Sequence, residues 1–142
     1  MSGFEPDIRL EEDSHLLADG PLSQLRLMDD LRFPWLVLVP RVEDASELDD
    51  LDTARQAQLL AEIGQAGRLL RGFEAFDKLN IGALGNIVRQ LHVHVVARRD
   101  GDFAWPGPVW GAGALERASP DRRVLRLARL RELLDKAFWR PA

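Results

Sequence analysis

The chain of 142 residues has no cysteine at all and only three histidines. Without cysteine there is no disulfide framework, no thiolate zinc site and no thiol nucleophile, which suits a reducing cytoplasm. Long apolar runs are missing too. No segment approaches the length needed to cross a bilayer, and Met1–Asp13 carries acidic residues where a signal peptide would have an apolar core. We therefore expect a soluble, cytoplasmic protein that does not engage membranes. Clustered positive charge is the third absence: the formal charge is −4 and no basic stripe occurs. Proteins that coat nucleic acid neutralise phosphates with grouped Lys and Arg, so nucleic acid is excluded as a partner, while a compact phosphorylated ligand needs only local positive charge. There is no internal repeat and no low-complexity segment. The length implies one domain, residues 1–142, able to bury a core without crosslinks.

What is present reads as alternating strands and two amphipathic helices. Ile8 to Leu17 is weakly patterned and predicts only a short strand near His15 to Leu17, ended by the turn signal Ala18-Asp19-Gly20-Pro21. Leu22 to Met28 alternates and breaks at Asp29-Asp30. Trp35-Leu36-Val37-Leu38-Val39 is continuously apolar, as a strand covered on both faces would be, and Pro40 ends it. Six carboxylates gather between Glu43 and Asp52, after which Leu51, Ala54, Leu59, Ile63, Ala66, Leu69 and Leu70 recur at helical spacing up to Gly72. Those acids suit the positive end of a helix dipole better than a metal site, which needs convergent ligands. Leu79 to Leu84 predicts a further strand, and Gly85-Asn86 turns the chain back. Phe103 to Gly111 is rich in Trp, Pro and Gly, a loop too apolar for a linker and expected to pack onto something. Ser119-Pro120 is a helix start, and Val124, Leu125, Leu127, Leu130, Leu133, Leu134 and Phe138 make a helical extension over about 119–139.

The chemistry concentrates in Gln90-Leu91-His92-Val93-His94-Val95-Val96-Ala97-Arg98-Arg99. On a strand, Gln90, His92 and His94 project to one side and Leu91, Val93 and Val95 to the other. Imidazole is neutral and nucleophilic near neutral pH, so one ring attacking phosphorus while its neighbour carries positive charge and binds phosphoryl oxygens is a coherent reading. Of Arg89, Arg98 and Arg99, alternation leaves Arg98 on the histidine side. A structural histidine pair and a metal site are the competing readings. Zinc wants three or four protein ligands, and with only His15 remaining the third would be a carboxylate that no spacing identifies. His15 itself reads as structural.

The run Gln90 to Val96 resembles the histidine-triad (HIT) motif, His-φ-His-φ-His-φ-φ with φ hydrophobic, with Gln at the first position. The resemblance continues through Leu38-Val39-Pro40-Arg41, the long helix, the Leu79-to-Asn86 strand and loop, and Gly101-Asp102-Phe103, covering a core of about residues 14–110. Trp105-Pro106-Gly107-Pro108 is similar to the tail of the Hint branch and the Arg99-to-Phe103 turn to the Fhit branch. The resemblance implies an α+β fold: an antiparallel sheet of about five strands, one long helix between strands 3 and 4, and here an added C-terminal helix. It implies cleavage at the α-phosphate of nucleoside phosphoramidates or dinucleoside polyphosphates through a nucleotidyl-histidine intermediate, with no metal and no cofactor required, in a homodimer that binds a purine nucleotide or nucleotide conjugate. Carried over by position, His92 is the nucleophile and His94 contacts the phosphate. Gln90, Asn86 and Asn80 lie near the phosphates, and Asp29, with Asp30 the alternative register, holds the ribose. The main-chain carbonyl of Gln90 would accept a hydrogen bond from the His92 ring. Leu25, Leu27, Phe33 and Trp35 serve either a base pocket or the core.

Overall fold

The computed structural model describes residues 3–142. Alternation and turn chemistry produce the expected antiparallel sheet. Strands β1 (Ser14–Asp19), β2 (Ser23–Met28) and β3 (Trp35–Pro40) form a meander, and helix α2 (Thr53–Phe73) follows. Strands β4 (Lys78–Gly82) and β5 (Val93–Arg98) then complete the central sheet, with β5 inserted between β3 and β4. The order is β4-β5-β3-β2-β1-β6, and every ladder is antiparallel. All six residues of β3 and all six of β5 are buried, which explains why Trp35 to Val39 is apolar without interruption.

Helix α2 starts where the acidic run ends: Asp52 is its N-cap and accepts from Arg55 N–H at 2.8 Å. Its Leu59, Ala66, Leu69 and Leu70 pack on the sheet face that carries Leu25, Leu27, Leu36, Leu38, Leu91, Val93 and Val95. Glu62 is buried with them and accepts from Leu22 and Ser23 N–H, tying the helix to the β1–β2 turn. Helix α3 (Pro120–Leu133) is capped by Ser119 with Pro120 at its first turn, as the sequence predicts.

Four elements differ from expectation. A first helix, α1 (Ile8–Asp13), stands where only weak patterning is legible; six residues are too few to show a 3.6 period, and Asp7 caps it by accepting from Arg9 N–H. A sixth strand, β6 (Arg140–Pro141), pairs with β1 through two residues, far below the length at which alternation shows. The terminal helix stops at Leu133, and of its predicted apolar stripe Leu127 and Leu130 are buried whereas Val124 and Leu125 face solvent. Finally, regular pairing in the histidine strand begins at Val93, so residues 90–92 lie outside the ladder. Among the described residues, no helix is long and apolar enough to cross a membrane.

Candidate functional site

The strand alternation places Leu91, Val93 and Val95 in the core beneath α2, and His94 and Val96 on the opposite face beside Trp35, Val37 and Val39. In the ladder His94 stands between Val37 on β3 and Gly82 on β4. Gly82 matters for its missing side chain, because a Cβ there would lie 3.1 Å from Cη2 of Trp110. The bare backbone lets the Trp110 ring reach within 5.4 Å of the His94 ring, centroid to centroid. The segment Phe103 to Gly111 thus packs where the sequence says it should pack onto something: Ala104, Val109 and Trp110 cover the histidine side of the sheet.

The two imidazoles lie edge to face, 4.9 Å apart at 74°, and hydrogen bonding assigns them opposite tautomers. Nδ1 of His92 is 2.7 Å from the Gln90 carbonyl oxygen, which can only accept, so Nδ1 carries the proton and Nε2 of the neutral ring holds a free lone pair. Nδ1 of His94 accepts from the Trp35 indole N–H at 3.0 Å, which puts that ring's proton on Nε2. One ring offers a lone pair and its neighbour offers a donor. The expectation that His94 supplies positive charge is overturned: burial, then the adjacent His92, lowers its pKa to about 3.

A cavity of about 500 Å³ opens on His92, walled by Trp35, Val88, Val109, Trp110 and Leu115, with Asn86 and Arg32 at its polar margin. Arg32 is already paired with Asp30 at 2.8 Å. A second, smaller cavity of about 200 Å³ meets His92 and Gln90 from the side of Ser46, Glu47 and Asp49.

The remaining sequence candidates disperse. Asn80 Oδ1 accepts from Arg98 at 2.8 Å, and the Arg98 guanidinium is otherwise clamped by both oxygens of Asp102 at 2.8 and 2.9 Å. That pair is buried; the bond from Arg98 holds the Asp102 carboxyl below its usual range. Arg98 therefore faces the histidine side without being free to bind an anion. Asp29 is buried at the end of β2 and away from the larger cavity, with its carboxylate taken by Ala118 N–H at 3.0 Å and Arg117 at 3.4 Å. Burial alone would raise its pKa, but the Ala118 bond, with His15 and Arg117, outweighs that and lowers it. Gln90 Oε1 accepts from the Asp7 N–H at 2.6 Å. Leu25 and Leu27 are core beneath α2, whereas Trp35 borders the cavity. Sequence reasoning missed Trp110, Val109 and Leu115 as cavity walls. The only signal was the apolar character of their loop, since nothing local places it against His92.

Comparison with known proteins bears on this arrangement. The HIT domain model matches residues 9–101. The chain belongs to the HIT family. A histidine triad (HIT) protein of Sinorhizobium meliloti has a crystal structure that superposes with a TM-score of 0.89 at 47% identity, covering 94% of this chain and 99% of that one. A histidine triad protein of Marinobacter aquaeolei superposes at 0.84 with 37% identity, covering 94% and 97%. The AP-4-A phosphorylase of Mycobacterium tuberculosis is 29% identical over 121 residues, which are 81% of this chain. This HIT chain spans 62% of that relative's length.

Proposed function

We propose that this HIT protein is a nucleotide hydrolase or transferase that cleaves the α-phosphate bond of nucleoside phosphoramidates or dinucleoside polyphosphates by covalent catalysis at His92. The observation that carries the reading is the paired tautomers: a lone pair on His92 Nε2, fixed by the Gln90 carbonyl, beside an N–H on His94 Nε2, fixed by Trp35. In the first step Nε2 of His92 attacks the α-phosphorus, a P–N bond forms, and the bond to the leaving group breaks with its electron pair. The departing group takes up a proton from solvent. Water then attacks the same phosphorus and gives a proton back to solvent, the P–N bond breaks with its electron pair returning to Nε2, and a nucleoside monophosphate and neutral His92 result. His94 donates to a phosphoryl oxygen as the charge there develops, and Asn86 supplies a further amide from the cavity margin. The apolar wall of Trp110, Val109 and Leu115 suits the base of a purine nucleotide. The kinship to a protein named AP-4-A phosphorylase supports a dinucleoside polyphosphate among the substrates. Neither metal nor cofactor takes part, so EDTA should leave turnover unchanged.

One observation favours a second reading, a purine-nucleotide-binding HIT protein with weak or no turnover. The charged residue lining the larger cavity, Arg32, is committed to Asp30, and His94 is neutral, so little positive charge is left to stabilise a transferring phosphoryl group. Incubation with an adenosine phosphoramidate and a diadenosine polyphosphate separates the two. Turnover that His92→Ala lowers by at least about a thousandfold, with a trapped nucleotidyl adduct on the native protein, supports the enzyme. Saturable binding without turnover supports the second reading. The quaternary state is part of the proposal: β4 is a sheet edge whose neighbourhood exposes Ile81, Leu84 and Ile87, suited to a two-fold homodimer in a cytoplasmic protein. Light scattering that gives a monomer mass would remove that part.

A further inference from the structure

The carbonyl that fixes the His92 tautomer belongs to a segment the sheet does not hold. Pairing in β5 starts at Val93, so residues 90–92 have no ladder bonds of their own. Two other bonds restrain them. Leu91 N–H donates to Ala45 O at 2.9 Å, and Gln90 Oε1 accepts from the Asp7 N–H at 2.6 Å, a contact spanning 83 residues of sequence. Because the main-chain N–H can only donate, the amide of Gln90 is oriented with its oxygen toward Asp7. Asp7 is itself held at the start of α1. Its carboxylate caps α1 by accepting from Arg9 N–H at 2.9 Å and is chelated by the Arg9 guanidinium at 3.1 Å through both oxygens. Helix α1 in turn is anchored by buried Leu10, and Phe4 of the preceding strap packs against the same site-side core. The N-terminal strap thus reaches a side chain whose own carbonyl orients the candidate nucleophile.

We propose that the Asp7 main chain and the Gln90 side chain form a latch that orients the Gln90 carbonyl, so that Gln90 is a positioning residue acting on His92 and the N-terminal strap belongs to the active site. In this arrangement a glutamine at position 90 does something that its charge-free amide makes possible at any working pH: it accepts a bond from the strap whatever the protonation of the histidines. Releasing the latch leaves the planar Gln90–Leu91 peptide held by the Leu91 N–H bond to Ala45 O alone, and a His92 ring whose acceptor is less firmly placed samples both neutral tautomers, one of which has its proton where the lone pair must be.

The catalytic consequence rests on the reading of His92 as nucleophile; the tautomer does not. The full chain is labelled at its histidine ring nitrogens, and long-range 1H–15N spectra are compared with rates on an adenosine phosphoramidate. In the native protein His92 should show Nδ1 protonated and Nε2 bare. Gln90→Met, which keeps volume and removes the acceptor, and Asp7→Pro, which removes the donor at a φ of −52° that proline adopts, should each give a mixture of tautomers, whereas Asp7→Ala, which loses the α1 cap and the Arg9 pair as Asp7→Pro does but keeps the N–H, should not. In Gln90→Met and Asp7→Pro, kcat should fall about tenfold with KM nearly constant, and the double variant should be no worse than either single one. Gln90→Glu, which retains an acceptor, should restore the Nδ1–H signature. A His92 ring that stays in the native tautomer in both Gln90→Met and Asp7→Pro overturns the latch, as does a native spectrum lacking Nδ1–H. If the native protein turns over no nucleotide, the functional reading fails while the spectra still decide the latch.

Discussion

The two faces of the central sheet are cut from the same strands and built of different materials. Toward α2 and α3, alternate residues of β2, β3 and β5 contribute Leu25, Leu27, Leu36, Leu38, Val93 and Val95, joined by Leu59, Leu70 and Leu130 into one apolar cluster whose buried carboxylate is Glu62. On the other side the intervening residues are mixed. Trp35, Val37, Val39 and Val96 share that face with buried His94, Arg98 and Arg26, the last hydrogen-bonded to Ser14 and Gln24. Apolar burial contributes about 25 cal/mol per Å² and needs no exact partner geometry, whereas each buried polar group on the second face costs free energy unless its bonds are made. The first face therefore holds the fold, and the second holds a precise arrangement that the first makes affordable.

The sharpest way to test that division is to damage each face once. His92→Ala should lower turnover by at least about a thousandfold while costing about 1–2 kcal/mol of stability, from the buried ring and its bond to the Gln90 carbonyl. Leu38→Ala, in the fully buried centre of β3, should do the reverse: about 2–5 kcal/mol of lost stability by urea unfolding, with turnover per folded molecule unchanged. If Leu38→Ala lowered turnover as much as stability, the faces would not be separable. Next in size is the buried pair. Arg98→Met leaves the Asp102 carboxylate buried and unpaired, so the expected loss is about 3–5 kcal/mol, much of it recovered when Asp102 is also made apolar. A loss below about 1 kcal/mol would show that Arg98 is not the structural element its geometry makes it.

The same contrast explains what could be read from the sequence. Period and apolar content reveal the first face, because burying Leu and Val requires only that they recur on one side: β2, β3, β5 and α2 follow from spacing alone. They also identify His92 and His94 as a same-face pair. The partners that give those rings their properties are far away in sequence. The Trp35 indole meets His94 across 59 residues, and Asp7 meets Gln90 across 83. No local pattern encodes either contact, so the sequence suggests a charged second histidine where burial and the Trp35 donor leave a neutral one. Likewise Arg98 is legible as a same-face cation, but Asp102 lies beyond the end of β5 and its clamp depends on how the turn at Gly101 folds back.

Acid should weaken the second face first. The unfolded His94 ring takes up a proton below its ordinary pKa of 6.5, whereas the folded ring does so only near 3. Between those values the unfolded state binds more protons, so stability falls as pH drops; the contribution is complete above about pH 6.5 and declines toward pH 3, by on the order of 5 kcal/mol in all. Asp29 and Asp102 act in the same direction, since both are lowered from 3.8 in the folded state, but only below about pH 4. Urea midpoints taken between pH 7 and 5 therefore report His94 together with His15, whose pKa burial also lowers. His94→Asn should remove the larger part of the slope in that window and His94→Asn with His15→Asn the rest, and a slope unchanged by His94→Asn would assign the effect elsewhere.

The smallest expected effect tests the finest feature of the polar face. Trp35→Phe keeps an aromatic ring between Phe33 and His94 and deletes the indole N–H whose bond His94 Nδ1 accepts, together with the part of the cavity wall that the larger ring supplies. The buried nitrogen then has no donor, a loss worth about 1–3 kcal/mol, and nothing holds the proton on Nε2, so part of the ring population carries it on Nδ1 instead. That exchange removes the donor that the proposed mechanism directs at the phosphoryl group while leaving the His92 lone pair intact. Turnover should fall about tenfold, most of it in kcat, because the missing bond strengthens as charge develops on the phosphoryl oxygens. Ring-nitrogen spectra should report the changed His94 tautomer beside an unchanged His92. If His94 keeps its proton on Nε2 and the rate holds, the indole is only packing, and the two faces differ less than their hydrogen bonds imply.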